Sequence, residues 1–254
     1  MRAASVGHQC PECVAQGARS TRQARTVFGG RVTGDTSTVA IALIVANVAV
    51  FVLGALLGPD SFRLQLANVT GPVLLETGGE PAGVATGEYY RLLTATFLHA
   101  GVVHLLLNMF ALAALGPQLE TALGRLRFAV LYLLSALGGS VTGFLLADQG
   151  QLSVGASGAI FGLFGAYYVV VRRLGGNTGS IVGLLAVNLV ITFTLPFIDW
   201  RAHLGGLVTG AVLAAVLAYA PRTDRRTAVQ AAGCAAIAVL LVALVVLRRA
   251  SLGT

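Results

Sequence analysis

The sequence predicts an all-α, polytopic membrane protein. Three observations predict it. Of 254 residues, 56% are hydrophobic and only 11% charged, whereas a soluble domain carries about 25% charged residues. Seven apolar stretches are long enough to span a bilayer as helices. The 17 basic residues are all arginine and stand in short clusters between those stretches. Loops held at the inner membrane face account for the net charge of +7. Nucleic-acid binding would need a basic stripe interleaved with aromatics, and there is none.

Residues 1–37 read as a polar, mobile tail dotted with arginine, without the short apolar run of a signal peptide. The first span is expected from Val39 to Leu57. Residues 58–90 carry Asp60, Arg63, Glu76, Glu80 and Glu88, too many charges to cross lipid, and read as a structured loop on the membrane surface. The second span is expected from Arg91 to Leu115, the third from Arg127 to Ala147, the fourth from Gly155 to Arg173, the fifth from Ser180 to Phe197 and the sixth from Ala202 to Ala220. After a polar break at Pro221–Arg226, a seventh runs from Ala228 to Leu247.

Arginine sets the orientation. With the N-terminus inside, only Arg63, Arg91, Arg201, Arg248 and Arg249 fall outside; the other 12, Arg22 among them, fall inside. Arg248 and Arg249, at the outer end of the seventh span, run against the rule. Trp200, Tyr89 and Tyr90 fall at outer interfaces, where aromatic belts sit. The three cysteines, Cys10, Cys13 and Cys234, imply no disulfide framework.

Polar residues at membrane depth are costly and mark function by default. The second span carries His99, His104 and Asn108, the fourth begins at Gly155-Ala156-Ser157-Gly158, and the sixth begins at Ala202-His203-Leu204-Gly205-Gly206. All three spans enter from outside, so a hydroxyl, imidazoles and an amide share one depth in the outer leaflet. His104 and Asn108, spaced i, i+4, share a helix face. A serine is a weak nucleophile until a base takes its proton. Ser157 is the candidate nucleophile, His203 the base, and His104, Asn108 and the Ser157 amide the donors to an oxyanion. Asp199, four residues before His203, is expected in a loop, so a Ser–His dyad is the simpler reading. Each motif alone also fits plain helix packing, since Gly158/Gly162 and Gly206/Gly210 are small-x-x-x-small pairs.

With those residues in view, Arg91–Tyr219 resembles the rhomboid family of intramembrane serine proteases. His99 with His104-x-x-x-Asn108 resembles the family's second helix, Gly155–Gly162 its serine motif, and Ala202–Gly206 with Gly210 its base motif. Gly116-Pro117-Gln118-Leu119-Glu120 resembles the short turn after the second span. Tyr90-Arg91 stands where Trp-Arg is common, and Phe161 where a Tyr often stacks on the base. The resemblance implies a six-helix domain at 38–220 with a linker and seventh helix at 221–254. It implies hydrolysis, without metal or organic cofactor, of peptide bonds in or beside a substrate's transmembrane segment, through an acyl-enzyme. It also implies a gate and cap at the fifth span and the loop Pro196–Arg201. The expected partners are transmembrane protein substrates and the lipid bilayer, and the expected place is the cell membrane, with the active site opening to the outer face.

His8, Cys10 and Cys13 resemble half of a zinc-binding extension ahead of some bacterial rhomboid domains. Three candidates within six residues fall short of the four ligands a structural zinc needs, so a tail with free thiols is the expectation. Two other classes of function remain open: a non-catalytic relative that binds membrane clients, and a transporter. The latter would call for charged residues along a pathway or an internal repeat, and neither is visible.

Overall fold

Among the described residues, ten α-helices arise where the apolar stretches and their polar breaks lie. The computed structural model describes residues 2–3, 7–20, 24–32, 37–71, 73–74, 81–148 and 150–253; Arg22, Glu76 and Glu80 lie outside them. In chain order the helices are α1 (Pro11–Ser20), α2 (Thr38–Leu57), α3 (Pro59–Leu66), α4 (Arg91–Thr94), α5 (Val102–Leu123), α6 (Arg125–Leu146), α7 (Ser157–Arg173), α8 (Gly179–Thr194), α9 (Trp200–Tyr219) and α10 (Arg226–Ser251). The chain is a multi-pass membrane protein. By length and composition α2, α5, α6, α9 and α10 can each cross a membrane. Of the seven expected spans, these five have the length and composition to cross. At 17 and 16 residues, α7 and α8 are shorter. In α7 every residue from Gly158 to Ala166 is buried, so protein rather than lipid surrounds it.

The largest departures from the expected boundaries are at the two ends of the second span. The second span does not start at Arg91. Residues 91–97 form α4 and a 3₁₀ turn, Leu98 is extended, and the long helix begins only at Val102. Its far end also differs: Gly116–Glu120 is no turn but part of α5. Leu115, Leu119 and Leu123, spaced four apart and buried, carry the helix through Pro117. Glu120 has a task there. Its buried carboxylate accepts the backbone N–H of Val39 at 3.1 Å and of Ala40 at 2.9 Å. It thereby caps the first turn of α2, where unpaired donors and the helix dipole favour negative charge.

The centre of the bundle is made of α6, α7 and α9, packed backbone to backbone. A Cβ on Gly206 would collide with the Gly158 carbonyl, and one on Gly210 with the Gly162 carbonyl. Gly139 of α6 faces the Ala202 carbonyl, 2.7 Å from where its Cβ would stand. Small residues permit this approach, the usual basis of association where lipid removes the hydrophobic drive.

The N-terminal segment is not wholly a free tail. Phe28 is inserted into the core at 2% exposure. Gln230 of α10 donates to the Phe28 carbonyl at 3.0 Å and to the Leu217 carbonyl at 2.7 Å, and accepts from Arg127 Nε at 2.8 Å. At its other end α10 packs Leu241 and Val245 against Val84, Leu92 and Phe144, and Arg249 donates to the Tyr89 hydroxyl at 2.5 Å. The arginine pair that offends the charge rule thus ends beside the residue 84–91 segment. Arg91, 1% exposed, organises that segment by bonding Glu88 at 2.7 Å and the carbonyls of Leu64 and Ala67. Burial raises the Glu88 pKa, but bonds from Arg91, Tyr90 and the Gly83 amide outweigh it and hold the carboxyl below its usual value.

Candidate active site

The site is assembled from the starts of three helices. Leu152–Ser153 pairs as a short antiparallel strand with Asn68–Val69, and the Gly155 N–H donates to the Ala95 carbonyl at 2.9 Å. These bonds lead the chain into α7, whose first residue is Ser157. Gly155 sits at φ +128, where side chains are strained, and a Cβ there would stand 2.7 Å from Cε1 of His104. Only glycine lets this loop close on the histidine.

His203 enters from the first turn of α9. Asp199 is the N-cap of that helix, its Oδ1 accepting from the amides of Arg201 at 3.1 Å and Ala202 at 3.3 Å. This explains its position four residues before the histidine without a role as a third catalytic group. His203 Nε2 lies 2.8 Å from Ser157 Oγ. Phe161, one turn into α7, stacks on the imidazole with centroids 4.0 Å apart and planes at 16°.

His104 and Asn108 project from α5, and the Asn108 side chain donates to the His104 carbonyl at 2.8 Å. His99 is not on that helix; it lies in the segment before it, buried, its ring edge-on to His104 at 5.1 Å. Ser157, His203, His104 and Asn108 all line one cavity of about 1030 Å³. Val103 and Leu107 of α5, Asn188 of α8 and Phe197–Asp199 extend its wall. The first amides of α7 have no acceptor within their own helix, so the cavity offers backbone as well as side-chain donors near the serine. A hydroxyl bonded to an imidazole beside such donors can perform acyl transfer.

One residue of the site escaped sequence reasoning. Thr192 of α8, 2% exposed, lies 2.8 Å from His203 Nδ1. Threonine in an apolar helix is commonplace, and no spacing links it to position 203. At the N-terminus, Cys10 and Cys13 are exposed free thiols. Among the described residues no group of three or more His, Cys, Asp or Glu side chains gathers to hold a metal. Backbone amides of Cys13 and Glu12 hold the Cys10 thiol below its ordinary pKa.

A model of the rhomboid domain matches residues 86–220, more than half of the chain. The chain belongs to the rhomboid family. RHOMBOID-like protein 6, mitochondrial, of Arabidopsis thaliana is 39% identical over 147 residues, 55% of this chain and 47% of its own length. RHOMBOID-like protein 7 of the same plant is 34% identical over 226 residues, 77% of this chain and 72% of its own. Rhomboid protease GluP of Bacillus subtilis is 38% identical over 142 residues, 53% of this chain and 27% of its own. The chain spans about half the length of the first of the curated relatives it matches. The rhomboid match takes in Asn108, Ser157 and His203 together with α5 to α9.

Proposed function

We propose that this rhomboid is a serine endopeptidase that cleaves other membrane proteins in or next to their transmembrane segments. The observation that carries the proposal is the 2.8 Å contact between His203 Nε2 and Ser157 Oγ inside the shared cavity. Ser157 gives its proton to His203 as its oxygen attacks the scissile carbonyl carbon. His104, Asn108 and the Ser157 amide hold the resulting oxyanion. Collapse expels the amine, which takes the proton from His203, and leaves an acyl-enzyme. Water, activated by the same imidazole, then releases the carboxylate.

The wider reading keeps residues 38–220 as the catalytic six-helix domain and 221–254 as linker and seventh helix, with the N-terminus cytoplasmic and the cavity facing the outer side of the cell membrane. The substrate enters past α8 and the loop Pro196–Arg201, the weakly buried flank of the cavity. No metal or organic cofactor takes part in these steps.

The test is cleavage of a model transmembrane substrate in liposomes by the natural chain and by Ser157→Ala. Cleavage by the former alone, with both proteins folded, is the expected result. Equal cleavage would place the nucleophile elsewhere. Absence of cleavage across a panel of helix-destabilised substrates would favour client binding without hydrolysis.

A further inference from the structure

His203 has two ring nitrogens, and Ser157 meets only one of them. For Nε2 to accept the serine proton it must carry a lone pair, so the ring hydrogen must sit on Nδ1. Stacking on Phe161 fixes the plane of the ring but is indifferent to a flip that puts carbon where each nitrogen stood, and to which nitrogen carries the hydrogen. Something else must choose.

Thr192 supplies the choice. Its Oγ1 lies 2.8 Å from His203 Nδ1 and 2.7 Å from the Asn188 carbonyl oxygen one turn earlier on α8. A carbonyl can only accept, and two oxygens at that distance repel without a proton between them. The single hydroxyl hydrogen of Thr192 therefore lies toward Asn188, and only lone pairs face the imidazole. Nδ1 must then donate, which leaves Nε2 open toward Ser157. The chain of bonds runs in one direction: Ser157 to His203, His203 to Thr192, Thr192 to Asn188.

The geometry points to Thr192 as a positioning residue that sets the tautomer and orientation of His203, and so ties the state of the base to the placement of α8. This inference rests on the proposed role of His203 as base. A second observation bears on the coupling to α8. Only Ile181 and Thr192 of its sixteen residues are buried, while Val187, Val190 and Phe193 are exposed at 57–63%. One of the helix's two buried positions is thus the hydroxyl on the imidazole. A displacement of α8 removes the acceptor from Nδ1 and frees the ring to flip.

Thr192→Val keeps the shape and removes the hydroxyl; Thr192→Ser keeps the hydroxyl. Steady-state cleavage, with reaction of Ser157 toward a fluorophosphonate as a substrate-independent readout, separates them. The valine variant should lose about 10-fold in kcat and in labelling rate with KM unchanged, the worth of one buried hydrogen bond, and the serine variant should recover most of it. Equal rates for valine and natural chain, or equal loss in both variants, would overturn the inference. Imidazole nitrogen-15 spectra of the natural protein at neutral pH decide even if Thr192→Val does not fold: a hydrogen on Nδ1 of His203 is expected, and one on Nε2 would overturn it. Absence of both cleavage and Ser157 labelling in the natural protein would instead overturn the proposed function, and the spectra would still report on Thr192.

Discussion

Asn108 uses one amide hydrogen on its own helix, donating to the His104 carbonyl, and its second is available to the cavity that both residues line. A donor fixed in this way is oriented before substrate arrives, so its bond strengthens only as charge develops. Asn108→Ala should therefore lower kcat by about 100-fold while leaving KM nearly unchanged, as loss of one oxyanion donor does, measured by steady-state cleavage in detergent. An equal rise in KM would assign Asn108 to ground-state binding instead. At this scale the sequence was highly legible. Ser157, His203, His104 and Asn108 are polar groups in apolar surroundings, and their cost there makes them conspicuous. Thr192 was not legible because a threonine bonding to the carbonyl four residues back satisfies itself within any helix. Its contact with His203 is tertiary, set by the packing of α8 against α9.

The seven long apolar elements are legible in position but not always in extent, and the short helices α1, α3 and α4 are not legible. The run from Arg91 to Leu115 is mainly apolar on both sides of residue 101, with scattered polar residues in each part, so hydropathy does not tell the broken segment at 91–101 from the helix that follows. Pro117 looked like a terminus, yet three buried leucines and the cap that Glu120 gives α2 outweigh its missing N–H. The α7–α9 seam shows how closely elements can be matched. Gly206→Ala would place a methyl against the Gly158 backbone, which cannot yield as a side chain can. It should destabilise the protein by about 2 kcal/mol, an ordinary cost of overpacking, read from thermal unfolding in detergent. Gly183→Ala on α8, with open space around its Cβ, should leave the midpoint unchanged or raise it slightly. A similar fall for both would mean that close approach at the α7–α9 seam does not set the effect.

For the molecule as a whole, the charge rule placed α10 with its arginine pair on the unfavoured side, and the packing shows what holds that end: Arg249 on Tyr89, and apolar contacts to Leu92 and Phe144. At the opposite end Gln230 joins three parts of the chain. Gln230→Leu would strand two carbonyls and the Arg127 Nε, costing about 2–4 kcal/mol. It should also speed tryptic cleavage at Arg25 and Arg31, which flank the released Phe28; unchanged cleavage would show that Phe28 is held by its ring alone. The N-terminal docking could not be foreseen, since one phenylalanine in a polar stretch carries no periodic signal. That Gln230 bond also has a consequence in time. Its partners Phe28 and Gln230 are 202 residues apart, which at ribosomal rates of about 5–20 residues per second means roughly 10–40 s between the birth of one and of the other. Throughout that interval the Phe28 carbonyl has no Gln230 to bond, so docking at this end must await the synthesis of α10, and a chain released before it would leave the Phe28 segment undocked.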